Sequence, residues 1–149
     1  MDVNEATRQT PAERAALVAS LDREQAIAQR ETLRGQVLRD PDPDVRAAAA
    51  GVLGFVAHDW ESVPTLVTAL AAEQDPEVQL RLVAVLAGFN DADSIDAVVR
   101  FWLGGPAPGI EQEVLGALLG ADPRLVRPAL DRHSATDIER AEAVRSRLP

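Results

Sequence analysis

The run DPDVRAAAAGVLG at 42–54 returns as DPEVQLRLVAVLA at 75–87, an offset of 33 residues. That offset pairs Asp42 with Asp75, Pro43 with Pro76, Asp44 with Glu77, Val45 with Val78, Leu53 with Leu86 and Gly54 with Ala87. A chain that writes one helix start twice at such a period is confined to stacked units, because each unit can bury its apolar face only against a neighbour.

Each matched residue has a helical reason. Asp42 and Asp75 suit N-caps, accepting from orphan first-turn N–H groups. Pro43 and Pro76 then fall on the first helical position, where the missing N–H costs nothing. Asp44 and Glu77 set negative charge beside the positive end of the helix dipole. Val45, Ala49, Val52, Leu53 and Val56 recur at the spacing of one helical face, as do Val78, Leu82, Val85, Leu86 and Phe89. Ile110, Val114, Leu118 and Leu119 continue the period at an offset of 32 without the Asp-Pro start. TDIERAEAVRSRL at 136–148 is a more charged fourth copy, as the exposed end of a stack should be.

A second helical series lies between these. It comprises 23–38, 62–72 and 94–103, in which Leu33, Leu66 and Val99 again stand 33 apart. The predicted unit is helix, short turn, capped helix, short turn. GGPAPG at 104–109 is the clear break, a loop before the third capped helix. Aromatics are only 3% of the 149 residues, and no stretch alternates apolar and polar for long, so strands have little to recommend them.

DPDVRAAAAGVLG and DPEVQLRLVAVLAG, with helix starts such as VPTLVTAL before them, resemble the HEAT family of helical repeats. The nearest variety is the short bacterial repeat that includes the phycobilisome-lyase type. The resemblance covers about residues 23–149. It implies an all-α, right-handed α-solenoid of about four two-helix repeats, at 23–57, 61–89, 93–120 and 122–148. An N-terminal capping helix at 11–21 and a flexible start at 1–10 complete a single domain spanning 1–149. The resemblance also implies that Asp42 and Arg46 help tie successive units together. One unit later Asp75 is kept, but Gln79 stands where Arg46 stood, which weakens any continuous ion-pair ladder.

Charge narrows the partner. The formal net charge is −9, and residues 40–113 carry three Arg against thirteen acids. A phosphate backbone would be repelled there, so nucleic acid is disfavoured and a basic partner favoured. The chain has no Cys, which removes disulfides, thiolate metal sites and a Cys nucleophile. With two His at no ligand spacing, no metal site is expected, and no cofactor. MDVNEATRQTPAER lacks the pattern of a signal peptide, and the longest apolar run, at 82–89, is too short for a membrane span. A cytoplasmic protein is expected.

In HEAT-like stacks the capped helices line the concave face. Here they are apolar nearly all round, through Ala47, Ala50 and Gly54, then Leu80, Val83 and Ala87, then Leu115, with Asp44, Glu77, Glu111 and Glu113 at the rim. A helix apolar on every side is usually covered on every side. Either neighbouring helices pack tightly there, or an apolar groove receives a partner segment. Trp60, His58 and Arg100 join those apolar residues as candidate binding residues, because Trp favours binding hot spots and Trp60 follows His58 and Asp59 in a turn. Trp102 is placed in the core. The favoured reading is a non-catalytic protein–protein interaction module, an adaptor or accessory subunit, with a homodimer through the apolar helices as a further outcome. The alternative is a small-molecule-binding or lyase-like enzyme, using the groove and His58, Asp59 or Arg100. No convincing catalytic constellation is legible.

Overall fold

The computed structural model describes residues 9–149, and the elements it forms are helical throughout. In chain order they are α1 (Pro11–Ala19), α2 (Arg23–Ala28), α3 (Arg30–Arg39), α4 (Pro43–Gly51), a π turn (Val52–Val56), a 3-10 turn (Trp60–Ser62) and α5 (Val63–Ala72). There follow α6 (Pro76–Phe89), α7 (Ala92–Leu103), α8 (Glu111–Gly120), α9 (Pro123–His133), a 3-10 turn (Ser134–Thr136) and α10 (Ile138–Arg145). The flexible start expected at 1–10 lies outside the described residues except for Gln9 and Thr10, and Thr10 caps α1 by accepting from the Glu13 N–H.

These helices form a two-layer all-α solenoid. One layer runs α1, α4, α6, α8, each packed on the next, and the other runs α3, α5, α7, α9. α10 packs against α7, α8 and α9 and closes the C-terminal end. The core lies between the layers. Val45, Ala49 and Leu53, then Val78, Leu82 and Leu86, then Val114 and Leu118 are buried from one side, and Leu33, Leu66 and Val99 from the other. Trp102 joins that core: its indole N–H donates to the Arg140 carbonyl at 2.8 Å, and the Arg140 guanidinium lies 4.9 Å from the ring centroid.

The repeated caps form as their spacing demands. Asp42 accepts from the N–H groups of Asp44 and Val45, and Asp75 from those of Glu77 and Val78. α8 starts later in its unit: Ile110, which pairs with Val78 at the offset of 32, is its N-cap and makes no side-chain cap. Two elements depart from the expected spans. The helix expected over 23–38 is two, broken at Gln29, and α7 begins at Ala92 instead of 94, capped by Asp91, whose side chain accepts from the Ser94 N–H.

Candidate functional site

One edge of the solenoid carries the turns that lead into α4, α6 and α8, and a ladder of charged side chains crosses it. Asp40 and Glu73 occupy equivalent places 33 residues apart, and each accepts from the backbone N–H two residues on. Each also takes an arginine from the preceding capped helix. Arg14 of α1 binds Asp40, and Arg46 of α4 binds Glu73 with two N–H groups at 3.0 Å. Arg46 spends a third donor on the Asp40 carbonyl, 2.9 Å away. Its hydrogen bonds to Glu73 raise the Arg46 pKa, so it stays charged at every working pH.

The third rung of this ladder is missing. Gln79 stands in the place of Arg46 and keeps only the carbonyl contact, its Nε2 donating to the Glu73 O at 2.9 Å. Gly105 stands in the place of the acid at the offset of 32 that Ile110 sets. Where the rung would be, a notch of about 430 Å³ opens between the C-terminal ends of α5 and α7, with Gln79 in its wall.

The faces of α4, α6 and α8 fit the first of the two alternatives, tight packing between neighbouring helices. Ala50, Gly54, Val83 and Leu115 are buried, and Ala47, Leu80 and Ala87 half-buried, so the surplus apolar surface of these helices packs against neighbouring elements. Gly54 shows why: a Cβ there would lie 2.3 Å from a Val85 methyl, so α4 and α6 approach too closely for any side chain at that position. Outward from these helices stand Asp44, Glu77, Arg81, Ala84, Glu113 and Gly116, a polar and small surface rather than an apolar groove.

The opposite edge is different. Past Gly51, α4 widens into the π turn Val52–Val56, in which the Ala57 N–H reaches back five residues to the Val52 carbonyl. His58 then adopts a left-handed φ of 47°. This path leaves Phe55 58% and Trp60 67% exposed, with Val56 partly exposed between them, contrary to the core place expected for Val56. His58 stacks on Phe89 at 4.9 Å between ring centroids. π-bulges of this kind concentrate at functional sites.

The turn is pinned from beneath. Asp59 is buried and accepts from the Ser62 hydroxyl at 2.6 Å, while Ser62 accepts from Arg34 at 2.8 Å. Arg30 and Arg34 both approach the Asp59 carboxylate, and Arg30 also binds Glu61 at 2.8 Å. Trp60 is therefore an exposed indole on a fixed frame.

The residues weighed for chemistry are not brought together. His58 faces Phe89, Asp59 turns to Ser62 and the α3 arginines, and Arg100 pairs with Asp96 at 3.1 Å on α7. Asp96 also accepts from Arg132 and His133 of α9. Burial pushes the Asp96 carboxyl up, but those hydrogen bonds outweigh it and hold its pKa below the ordinary value. Among the described residues, no three His, Cys, Asp or Glu side chains gather to hold a metal, and no helix is long and apolar enough to cross a membrane.

The family model for HEAT repeats matches residues 30–119, more than half of the chain. The chain belongs to the HEAT-repeat family. No curated protein and no solved structure matched it. The match is to HEAT repeats as such and does not single out the phycobilisome-lyase variety.

Within this HEAT array one unit escaped the sequence reading. TPAERAAL at 10–17 is a degraded copy of DPDVRAAA at 42–49, with Pro11, Arg14 and Leu21 each 32 residues before Pro43, Arg46 and Leu53. α1 packs on α4 as α4 packs on α6, and the Arg14–Asp40 pair is the first rung. The signal was present, but Thr10 replaces Asp at the cap and Glu13 replaces Val at the first core position. The one-residue surplus that forms the π turn was legible too, as the shift in offset from 33 at Asp42 and Asp75 to 32 at Asp59 and Asp91.

Proposed function

We propose that this HEAT array is a non-catalytic interaction module that docks a partner protein through the aromatic edge at Phe55, Val56 and Trp60. One observation carries the reading: a 67% exposed Trp60 held on a turn whose neighbours Asp59 and Ser62 are buried and hydrogen-bonded. Exposed aromatics held without conformational freedom lose little entropy on binding and are favoured as interface anchors. HEAT repeats are commonly protein-interaction modules, and the acid-rich middle of the chain favours a partner segment with basic residues flanking an apolar one. This places the contact on the edge of the stack instead of along its capped helices.

The test is affinity capture from native extract with the parent and with a Phe55→Ser, Trp60→Ala double variant, beside melting curves of both. The expected result is a captured protein lost at least about tenfold by the double variant, the size of a hot-spot deletion, at similar melting temperature. Capture unchanged in the double variant would overturn the reading. Sedimentation of the chain alone checks whether the partner is a second copy.

A further inference from the structure

The missing rung leaves a seat. In the two preceding units a guanidinium from the chain itself stands beside the turn, Arg14 at Asp40 and Arg46 at Glu73, and the notch left beside Arg46 is about 230 Å³. One unit later Gln79 is too short to take that place, Gly105 stands where the acid was, and the notch widens to about 430 Å³. Gln79 is 93% buried, being 7% exposed, and its Nε2 is committed to the Glu73 carbonyl, which fixes the amide orientation. Its Oε1 then faces no donor at all. A buried acceptor left unmatched costs on the order of 1–3 kcal/mol, which a correctly placed donor recovers.

The notch walls define what that donor should be attached to. Val67, Leu70, Ala71 and Phe101 offer an apolar lining for a methylene stem. α5 and α7 end at the notch, and helix C-termini carry partial negative charge and unmatched carbonyls, which favour a cation with several N–H groups. Arg100, also in the wall, already has its charge paired with Asp96. Residues 40–113 hold thirteen acids against three arginines, so a basic chain is drawn towards this region.

We propose that this notch is a seat for an arginine side chain presented by a partner polypeptide, whose guanidinium supplies from outside the donors that Arg14 and Arg46 supply from within the chain. The arginine stem lies along Val67 and Ala71, and the planar fork reaches Gln79 and the adjoining helix ends. Reaching Oε1 takes a turn of the amide about Gln79's broad terminal torsion, in which Nε2 releases the Glu73 carbonyl and the guanidinium takes its place as donor. The seat stands at the edge opposite Trp60 and does not depend on the aromatic docking surface.

The test is a nitrogen-15 NMR titration of the full chain with the acetylated and amidated peptides GGRGG, GGKGG and GGAGG. The expected result is saturable shifts of the Gln79 side-chain amide and of the Gly104 and Gly105 backbone with the arginine peptide. Binding should be about threefold or more weaker with the lysine peptide, which lacks the planar fork, and the alanine peptide should cause no shift. Gln79→Arg refills the rung from inside and should abolish this binding while the melting temperature holds or rises. Should that variant not fold, Ala71→Phe, at an exposed position of α5, blocks the mouth and should have the same effect. No saturable shift with the arginine peptide, equal shifts with the alanine peptide, or undiminished binding in the folded blocking variant would overturn the seat. Trp60→Ala should leave the titration unchanged; loss of partner capture in that variant, with no titration at the notch, would sink the seat alone and leave the docking reading standing.

Discussion

In α4 the path from the Asp42 cap to left-handed His58 takes sixteen residue steps, and in α6 the path from Asp75 to left-handed Asn90 takes fifteen. The two helices share their cap, their first-turn proline and their core stripe. The surplus step is absorbed in the π turn Val52–Val56, whereas α6 runs straight to Phe89. Phe55, 58% exposed, stands at the place that the exposed Gly88 holds in α6, so the two copies differ there in residue type, while Phe89 at the end of α6 stays half-buried beside His58. The comparison separates scaffold from surface: what the two copies share builds the stack, and where they differ the chain presents aromatic side chains.

The largest expected effect concerns what is shared. Val45→Asp and Val78→Asp each place an unpaired charge in a buried position and should each cost on the order of 4 kcal/mol, read by denaturant or thermal unfolding. A much smaller cost in one of them would break the equivalence of the two helices.

An intermediate effect tests their contact. Gly54→Ala drives a Cβ into Val85 and should destabilise by about 2 kcal/mol, as overpacking does. Ala87→Gly, at the equivalent place in α6, removes only a methyl and helix propensity, and should cost about 1 kcal/mol or less. Equal costs at the two positions would contradict the close approach of α4 to α6.

The smallest effect sits at the caps. Asp42→Ala and Asp75→Ala should each cost about 1 kcal/mol, because each carboxylate serves two first-turn N–H groups. Matched melting curves for the pair would sharpen the view that these aspartates are scaffold.

Helix type, period and core were legible in the sequence because caps and apolar spacing are local signals, and the stack repeats them. Val45, Leu53, Val78, Leu86, Leu33, Leu66 and Val99 all take their expected buried places. The candidate surface was less legible. Ala50, Gly54 and Val83 looked like spare apolar surface because periodicity records one core face per helix, while the contact between successive capped helices needs a second. Trp60 is marked in the sequence by its residue type and its place in a turn, whereas Phe55 carries no such mark. The matching places one unit later, Gly88 and Ala92, are exposed as well, so the outward direction recurs with the repeat and what is new at 55 and 60 is the aromatic side chain.

Hydrogen–deuterium exchange reads directly which surface a partner covers, on the chain alone and on the chain saturated with its captured partner. New protection is expected in peptides spanning 52–62, the π turn and the Trp60 turn, with the stretches 43–51 and 76–86 unchanged. Protection that instead appears along 76–86 and 111–118, with 52–62 unaffected, would contradict it and return the contact to the capped helices.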